Sequence, residues 1–255
     1  MSVQGYPRAT WHPSPVFGHG SRPWNWQNIG RSGSSDIRQV IVHPTESAVG
    51  DKRGSLRALT NVPLDRGLNS AHYLVAEDGV YQLVDDRNQA WHGNQTNPYS
   101  IGVETVGEAG NPATWSPNII ANWGGLAGWL SWAYDIPLNY VSGAFGRPDS
   151  PIPDRAFVAH GAIKDSRSDP GEFIPWGEIR QAALAYLDQV PISEMRSGLD
   201  VPPQVQAERV QHPQWTEPPE NTPPPPPPDE PVRAGMGGGL VLAVIAAISM
   251  WWFNR

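Results

Sequence analysis

Short runs of apolar and β-branched residues predict that the chain folds around buried strands. In two of these runs the apolar stretch stops at a histidine, so a polar side chain stands directly at a strand end. The turn dipeptide Asp78-Gly79 separates two other runs and predicts a β-hairpin. The predicted strands are 37–42, which ends at His43, 72–76, 80–84, 100–106, and 157–159, which leads into His160.

Helical spacing of apolar residues alternates with these strands along the chain. It is clearest over 118–134 and 178–189, and a shorter helical piece is expected over 54–60. Strands that alternate with helices and include a hairpin are typical of an α/β domain. We therefore predict a mixed central β-sheet flanked by helices, within a single domain of residues 1–190.

The chain after residue 190 predicts a different organisation. Residues 191–233 are proline-rich and contain the unbroken run Pro223–Pro228, which favours a stiff polyproline II spacer. Residues 234–253 are uncharged, and as a helix they would span about 30 Å, the thickness of one bilayer core. Trp251 and Trp252 lie at the end where interfacial tryptophans are expected. We predict a single C-terminal transmembrane helix; the alternative is a buried helix of the domain.

The composition of the chain argues against several kinds of chemistry and of binding partner. The absence of cysteine excludes disulfides, a thiol nucleophile and thiolate metal ligands. A net charge of −7 without a basic stripe argues against nucleic-acid binding. Several of the 12 tryptophans, Trp91 among them, fall in predicted loops. Such rings form either a flat wall for a sugar or peptide, or ordinary packing.

His43, His160 and Asp169 are the candidate metal ligands. Two imidazoles and one carboxylate are the ligand count of a catalytic zinc site, which keeps its fourth position open. An open position lets the ion lower the pKa of a water and deliver it to a carbonyl carbon. If the three residues converge in the fold, the sequence predicts a zinc hydrolase.

Six short motifs occur in an order that resembles one family. The resemblance is to the zinc-dependent N-acetylmuramoyl-L-alanine amidases of type 2, which include phage endolysins and peptidoglycan recognition proteins. It covers about residues 11–186. The motifs are Val40-Ile-Val-His43-Pro-Thr-Glu46, Ser70-Ala-His-Tyr-Leu-Val75, Asp78-Gly-Val-Tyr-Gln-Leu-Val84, Ala90-Trp-His92, Ser100-Ile-Gly-Val-Glu104, and His160 followed by Asp169-Pro-Gly171.

The resemblance assigns roles to individual positions. His43, His160 and Asp169 match the three zinc ligands, and Glu104 matches the general base, with a partner that orients a zinc histidine as its alternative. Arg167 stands where many relatives carry lysine, and a cation there would stabilise an oxyanion. Lys164 is the rival cation, and both could equally be solvated loop charges. His92, with Trp91 beside it, is expected to contact substrate or the zinc surroundings.

The implied activity is zinc-dependent hydrolysis of the amide between N-acetylmuramic acid and L-alanine in peptidoglycan. A phage lysis enzyme with a membrane anchor is the role that we expect. The N-terminus shows no signal peptide, so the domain is predicted on the host cytoplasmic side before lysis. The alternatives are a peptidoglycan-binding module without activity, and a bacterial or virion-associated amidase that remodels the wall.

Overall fold

The computed structural model describes residues 5–12, 37–60 and 70–197. These residues form a mixed sheet with helices on both faces, as predicted. The strands are β1 Thr10–Trp11, β2 Gln39–Pro44, β3 Tyr73–Ala76, β4 Gly79–Gln82, β5 Ser100–Thr105, β6 Tyr140–Val141, β7 Gly143–Ala144, β8 Arg147–Pro148 and β9 Ala156–Ala159. The α-helices are α1 Lys52–Thr60, α2 Pro117–Tyr134, α3 His160–Ile163, α4 Trp176–Gln189 and α5 Ile192–Ser197.

The main sheet has seven strands in the order β1-β4-β3-β5-β2-β9-β6. The predicted hairpin is confirmed as the antiparallel pair β3–β4, and β5, β2 and β9 run parallel to one another at the centre. Every residue of β2 is buried, which explains the apolar run Val40–Val42 at its centre. Because the central strands are parallel, their carboxyl ends lie at one edge of the sheet, where ligands commonly bind in α/β folds.

Helices α2 and α4 cover one face of the sheet. Ser116 caps α2 by accepting a hydrogen bond from the Ile119 N–H (3.2 Å), and Pro117 provides its first turn. The fully buried indole of Trp123 donates to the Thr105 hydroxyl (2.9 Å). This bond fixes the last residue of β5, immediately after Glu104, so the packing of α2 holds that end of the strand in place.

Helix α5 lies beyond residue 190 and packs against α2. The buried indole of Trp129 donates to the Met195 carbonyl (3.0 Å), and Met195 is itself buried in the core. Helix α5 thus lies within the predicted linker of residues 191–233, and the rest of that linker and the predicted transmembrane helix lie outside the described residues. Within residues 5–12, 37–60 and 70–197, no helix is long and apolar enough to cross a membrane.

Candidate active site

The two predicted histidines and Asp169 meet in one buried cluster at the carboxyl edge of the sheet. His43 lies in β2, and His160 begins α3 directly after the neighbouring strand β9. His43 Nδ1 is 3.2 Å from Asp169 Oδ2, and His160 Nδ1 is 3.1 Å from each carboxylate oxygen. The structure therefore brings together three residues that are up to 126 positions apart in the sequence.

This cluster has the geometry of a metal centre. One ligand atom from each of the three residues lies within 4.8 Å of the others. Ligands about 2.0–2.1 Å from a tetrahedral zinc ion are separated by roughly 3.3 Å. The two nitrogen–oxygen separations that involve Asp169 are close to that value. Two imidazoles and a carboxylate also suit zinc chemically, so the residues present fit the ion.

The electrostatics of the cluster favour the protonation states that a metal needs. Burial, together with the charge of the neighbouring His160, lowers the pKa of His43 to about 4, so its imidazole is neutral at pH 7. Burial opposes ionisation of Asp169, but hydrogen bonds from both histidines outweigh it and hold the pKa of that carboxyl below its usual range. Metal ligands must be deprotonated, and two of these groups already are at neutral pH.

The Asp169-Pro-Gly171 sequence shapes the loop that presents the carboxylate. The Gly161 N–H donates to the Asp169 carbonyl (2.7 Å), which ties the loop back to the turn that follows His160. Gly171 has a φ of 81°, and a Cβ there would collide with the Ala109 carbonyl. Only glycine satisfies both conditions, because it adopts positive φ at little cost and occupies no side-chain space.

Glu104 lies beside His43 on the same face of the sheet. The two residues are register partners in the parallel pair β5–β2. Among the described residues, the buried Oε2 atom of Glu104 has no hydrogen-bond partner. Burial raises the pKa of the Glu104 carboxyl well above its ordinary value, and the charge of Asp169 raises it further. A buried carboxyl with this raised proton affinity is suited to take a proton from water.

Arg167 is the cation that the structure places near this carboxyl. Its charge lowers the pKa of both Glu104 and His43, so it lies within electrostatic reach of the cluster. The backbone N–H of Arg167 donates to the Lys164 carbonyl (3.0 Å) in the loop after α3. The side chains of both residues are half-buried. The charge of Arg167 thus acts on a candidate metal ligand and on the candidate base, while Lys164 lies at the start of the same loop.

His92 packs directly against the metal cluster. Its ring meets that of His43 edge to face, with centroids 5.5 Å apart. A side chain on Gly102 would occupy the space of the His92 ring, which explains the glycine in the Ser-Ile-Gly-Val-Glu motif. The Ser100 hydroxyl lies 3.3 Å from His92 Nε2. Trp91 is half-buried. The hydrogen bond from its backbone N–H to the Ser70 hydroxyl (3.0 Å) fixes its loop.

Comparison with known proteins shows which family the chain belongs to. A family model described as N-acetylmuramoyl-L-alanine amidase matches residues 33–172, more than half of the chain. The chain belongs to this amidase family. The amidase named N-acetylmuramoyl-L-alanine amidase A, from Achromobacter lyticus, is 31% identical over 151 residues, which cover 56% of this chain and 81% of that protein.

Two solved structures are similar to this chain, and the first of them shares its fold. The Staphylococcus aureus hydrolase AmiA in complex with its ligand is 15% identical, with a TM-score of 0.51, over 72% of this chain and 87% of that chain. AmpDh3 from Pseudomonas aeruginosa, in complex with anhydromuramic pentapeptide, is 21% identical, with a TM-score of 0.42, over 75% of this chain and 78% of that chain.

Sequence reasoning assigned no role to two residues near this amidase site. Glu46 and Phe145 have positive φ values of 52° and 55°, which are uncommon for residues other than glycine, asparagine and aspartate. The charge of Asp169 contributes to a raised pKa of the Glu46 carboxyl, after burial as the main cause. A signal for Phe145 was present in the sequence, because the following Gly146 marks a tight turn.

Proposed function

We propose that this amidase is a zinc enzyme that hydrolyses the amide between N-acetylmuramic acid and L-alanine in peptidoglycan. The observation that carries the proposal is the convergence of His43, His160 and Asp169, with Asp169 at the separation from each histidine that ligands around one tetrahedral ion have. When bound there, zinc would polarise the amide carbonyl and lower the pKa of a water.

Glu104 is the residue that moves the proton in this proposal. Its carboxylate takes a proton from the attacking water and delivers it to the amide nitrogen as the carbon–nitrogen bond breaks. The new carbon–oxygen bond leaves a lactyl carboxylate on the sugar, and L-alanine leaves with a free amine. Burial supports this role, because the raised pKa makes the Glu104 carboxylate a stronger base towards the proton of the water.

Arg167 stabilises the charge that develops on the carbonyl oxygen. A fixed cation near the reacting carbon lowers the energy of the tetrahedral state more than that of the planar amide. The electrostatic reach of Arg167 to Glu104 and His43 supports this assignment over Lys164. His92 and Trp91 are proposed to contact the substrate next to the metal, since the His92 ring borders that of His43.

Metal removal tests the zinc dependence. We expect prolonged dialysis against a strong zinc chelator to abolish release of stem peptide from a soluble muropeptide. Adding one equivalent of Zn²⁺ should restore it, because the buried ligand set reforms the site. Adding Mg²⁺ serves as the control and should restore nothing, since magnesium prefers oxygen ligands. Full activity in chelator-treated protein with no detectable metal would refute the zinc mechanism.

We propose in addition that the enzyme serves phage lysis from a membrane anchor at residues 234–253. The support is sequence alone: an apolar segment of bilayer length follows a proline-rich spacer. A bacterial or virion-borne amidase is the competing role. Membrane fractionation tests the anchor: the full chain should sediment with membranes, and a variant without 235–255 should not.

A further inference from the structure

The small hairpin β7–β8 is bonded to the segment that carries two of the candidate metal ligands. The Gly146 N–H donates to the Gly161 carbonyl (2.9 Å), one residue after His160. The Phe145 N–H donates to the Arg167 carbonyl (2.6 Å), two residues before Asp169. The tip of the hairpin is therefore fixed at both ends of the loop that joins His160 to Asp169.

Glycines allow the hairpin to approach this closely. A Cβ on Gly161 would lie 2.8 Å from the Gly143 carbonyl oxygen, so a side chain at that position would push the hairpin away from the site. A Cβ on Gly143 would meet the backbone of β8 and, at 3.0 Å, the side chain of Ala162. The hairpin is thus packed against the first turn of α3 as a rigid part of the site rather than as a peripheral loop.

Phe145 at the hairpin tip is conformationally costly. Phe145 and Gly146 have φ values of 55° and 70°, the pattern of a two-residue type I′ turn, for which Asn-Gly is the preferred pair. A bulky residue in the left-handed region costs about 1–2 kcal/mol relative to its usual conformation. Strain of this kind is characteristic of functional sites.

Most of the Phe145 side chain is exposed, so burial does little to offset this cost. It is 60% exposed, more than any other large hydrophobic residue in the described part of the chain. Its strained backbone nevertheless holds an apolar ring in solvent. The neighbouring Gly146 N–H bonds to the Gly161 carbonyl, one residue after the candidate ligand His160. An exposed aromatic ring in such a place is suited to cover an apolar surface of a ligand.

We propose that Phe145 is a substrate-binding residue of this amidase, a wall that packs against the apolar surface of the muropeptide beside the scissile amide. That surface consists of the C–H face of the sugars or the methyl groups of the lactyl and alanyl units. The inference rests on the proposed function, because it takes the muropeptide as the ligand. Phe145 acts by binding and holds no proton or charge during the reaction.

The test compares variants that separate the ring from the backbone. Phe145→Asn removes the ring and keeps a residue that the turn prefers, so the hairpin should form at least as well as in the wild type. Phe145→Tyr keeps the ring. Leu184→Asn is the matched control, because Leu184 is an exposed apolar residue (39%) on α4, across the sheet from the metal cluster.

We expect Phe145→Asn to raise KM by about tenfold and to change kcat by less than about twofold, the scale of losing one aromatic binding contact. Phe145→Tyr and Leu184→Asn should both behave like the wild type. A rise in KM on a muropeptide with a single muramic acid assigns the contact to the units next to the amide. A rise only on longer glycan chains assigns it to the neighbouring sugars.

Unchanged KM for Phe145→Asn on both substrates would overturn the inference. A lower kcat with unchanged KM, or lost zinc, would do the same, because it would show that the hairpin only supports the metal loop. Calorimetric binding of a muropeptide to the wild type and to Phe145→Asn in the Glu104→Gln background needs no turnover. It tests Phe145 even if the wild type releases no stem peptide, the result that would refute the proposed function.

Discussion

The Asp169→Asn variant should fold, bind zinc at least about 100-fold more weakly than the wild type, and lose nearly all amidase activity. Replacing a residue that only supports a metal ligand already weakens binding by about 10–100-fold, so loss of the ligand charge itself should cost at least as much. Asp169 supplies the only carboxylate of the cluster, and it faces both imidazoles at hydrogen-bonding distance.

Asp154→Asn is the control for this substitution. Asp154 precedes β9 and pairs with Arg38 at 2.8 Å, and the side chains of both residues are exposed (68% and 41%). An exposed pair of this kind contributes about 0–1 kcal/mol to stability, so zinc content and activity should not change. Metal analysis and muropeptide turnover measure both variants. An Asp169→Asn protein that keeps one zinc per chain and normal activity would remove Asp169 from the metal site.

The Glu104→Gln variant should keep its zinc and lose activity by about 10²–10⁴-fold, the usual contribution of a general acid–base group. Glutamine has nearly the shape of glutamate and cannot accept the proton. Glu178→Gln is the control, because Glu178 is exposed on α4, across the sheet from the site. Loss of zinc together with activity would indicate that Glu104 supports the metal rather than transfers the proton.

The same variant should be more stable than the wild type when both are free of metal. Below about pH 4 the carboxyl is protonated in the folded and unfolded chains alike, so it carries no penalty. As the pH rises, the unfolded chain ionises first, because burial raises the pKa of Glu104 in the folded protein. Stability is therefore lost with rising pH, and glutamine removes that loss.

Thermal unfolding measures this difference. We expect the Tm of metal-free Glu104→Gln to exceed that of the wild type by about 2–4 °C at pH 8, equivalent to about 1 kcal/mol, and by much less at pH 4. The Glu178→Gln control should show no such dependence on pH. A variant less stable than the wild type at pH 8 would mean that the Glu104 carboxylate has a stabilising partner in the folded protein.

The strands and the position of the ligands were predictable from sequence because they depend on local patterns. The apolar run of β2 ends at His43, and the predicted strand before His160 is β9. Once parallel neighbours are assumed, both histidines must lie at the same edge of the sheet. The helix expected over 118–134 begins one residue earlier, at Pro117, because Ser116 caps it.

The rim of the site could not be predicted in the same way. Gly146 marks a turn in the sequence, but Phe145 stands where a hairpin turn prefers Asn, so local propensity gives no reason to expect a two-residue hairpin tip there. Its position depends on bonds to Gly161 and Arg167, which are contacts across the fold. The role of Gly102 likewise became clear only when the His92 ring was found against it.

Mass spectrometry of the products released from purified peptidoglycan tests the central claim most directly. The zinc-loaded enzyme should release stem peptides that begin with L-alanine and carry a free amine, and it should leave glycan chains whose muramic acid ends in a lactyl carboxylate. Peptides that remain joined to muramic acid, with cuts in the glycan or within the stem, would contradict the assignment of this site to that amide bond.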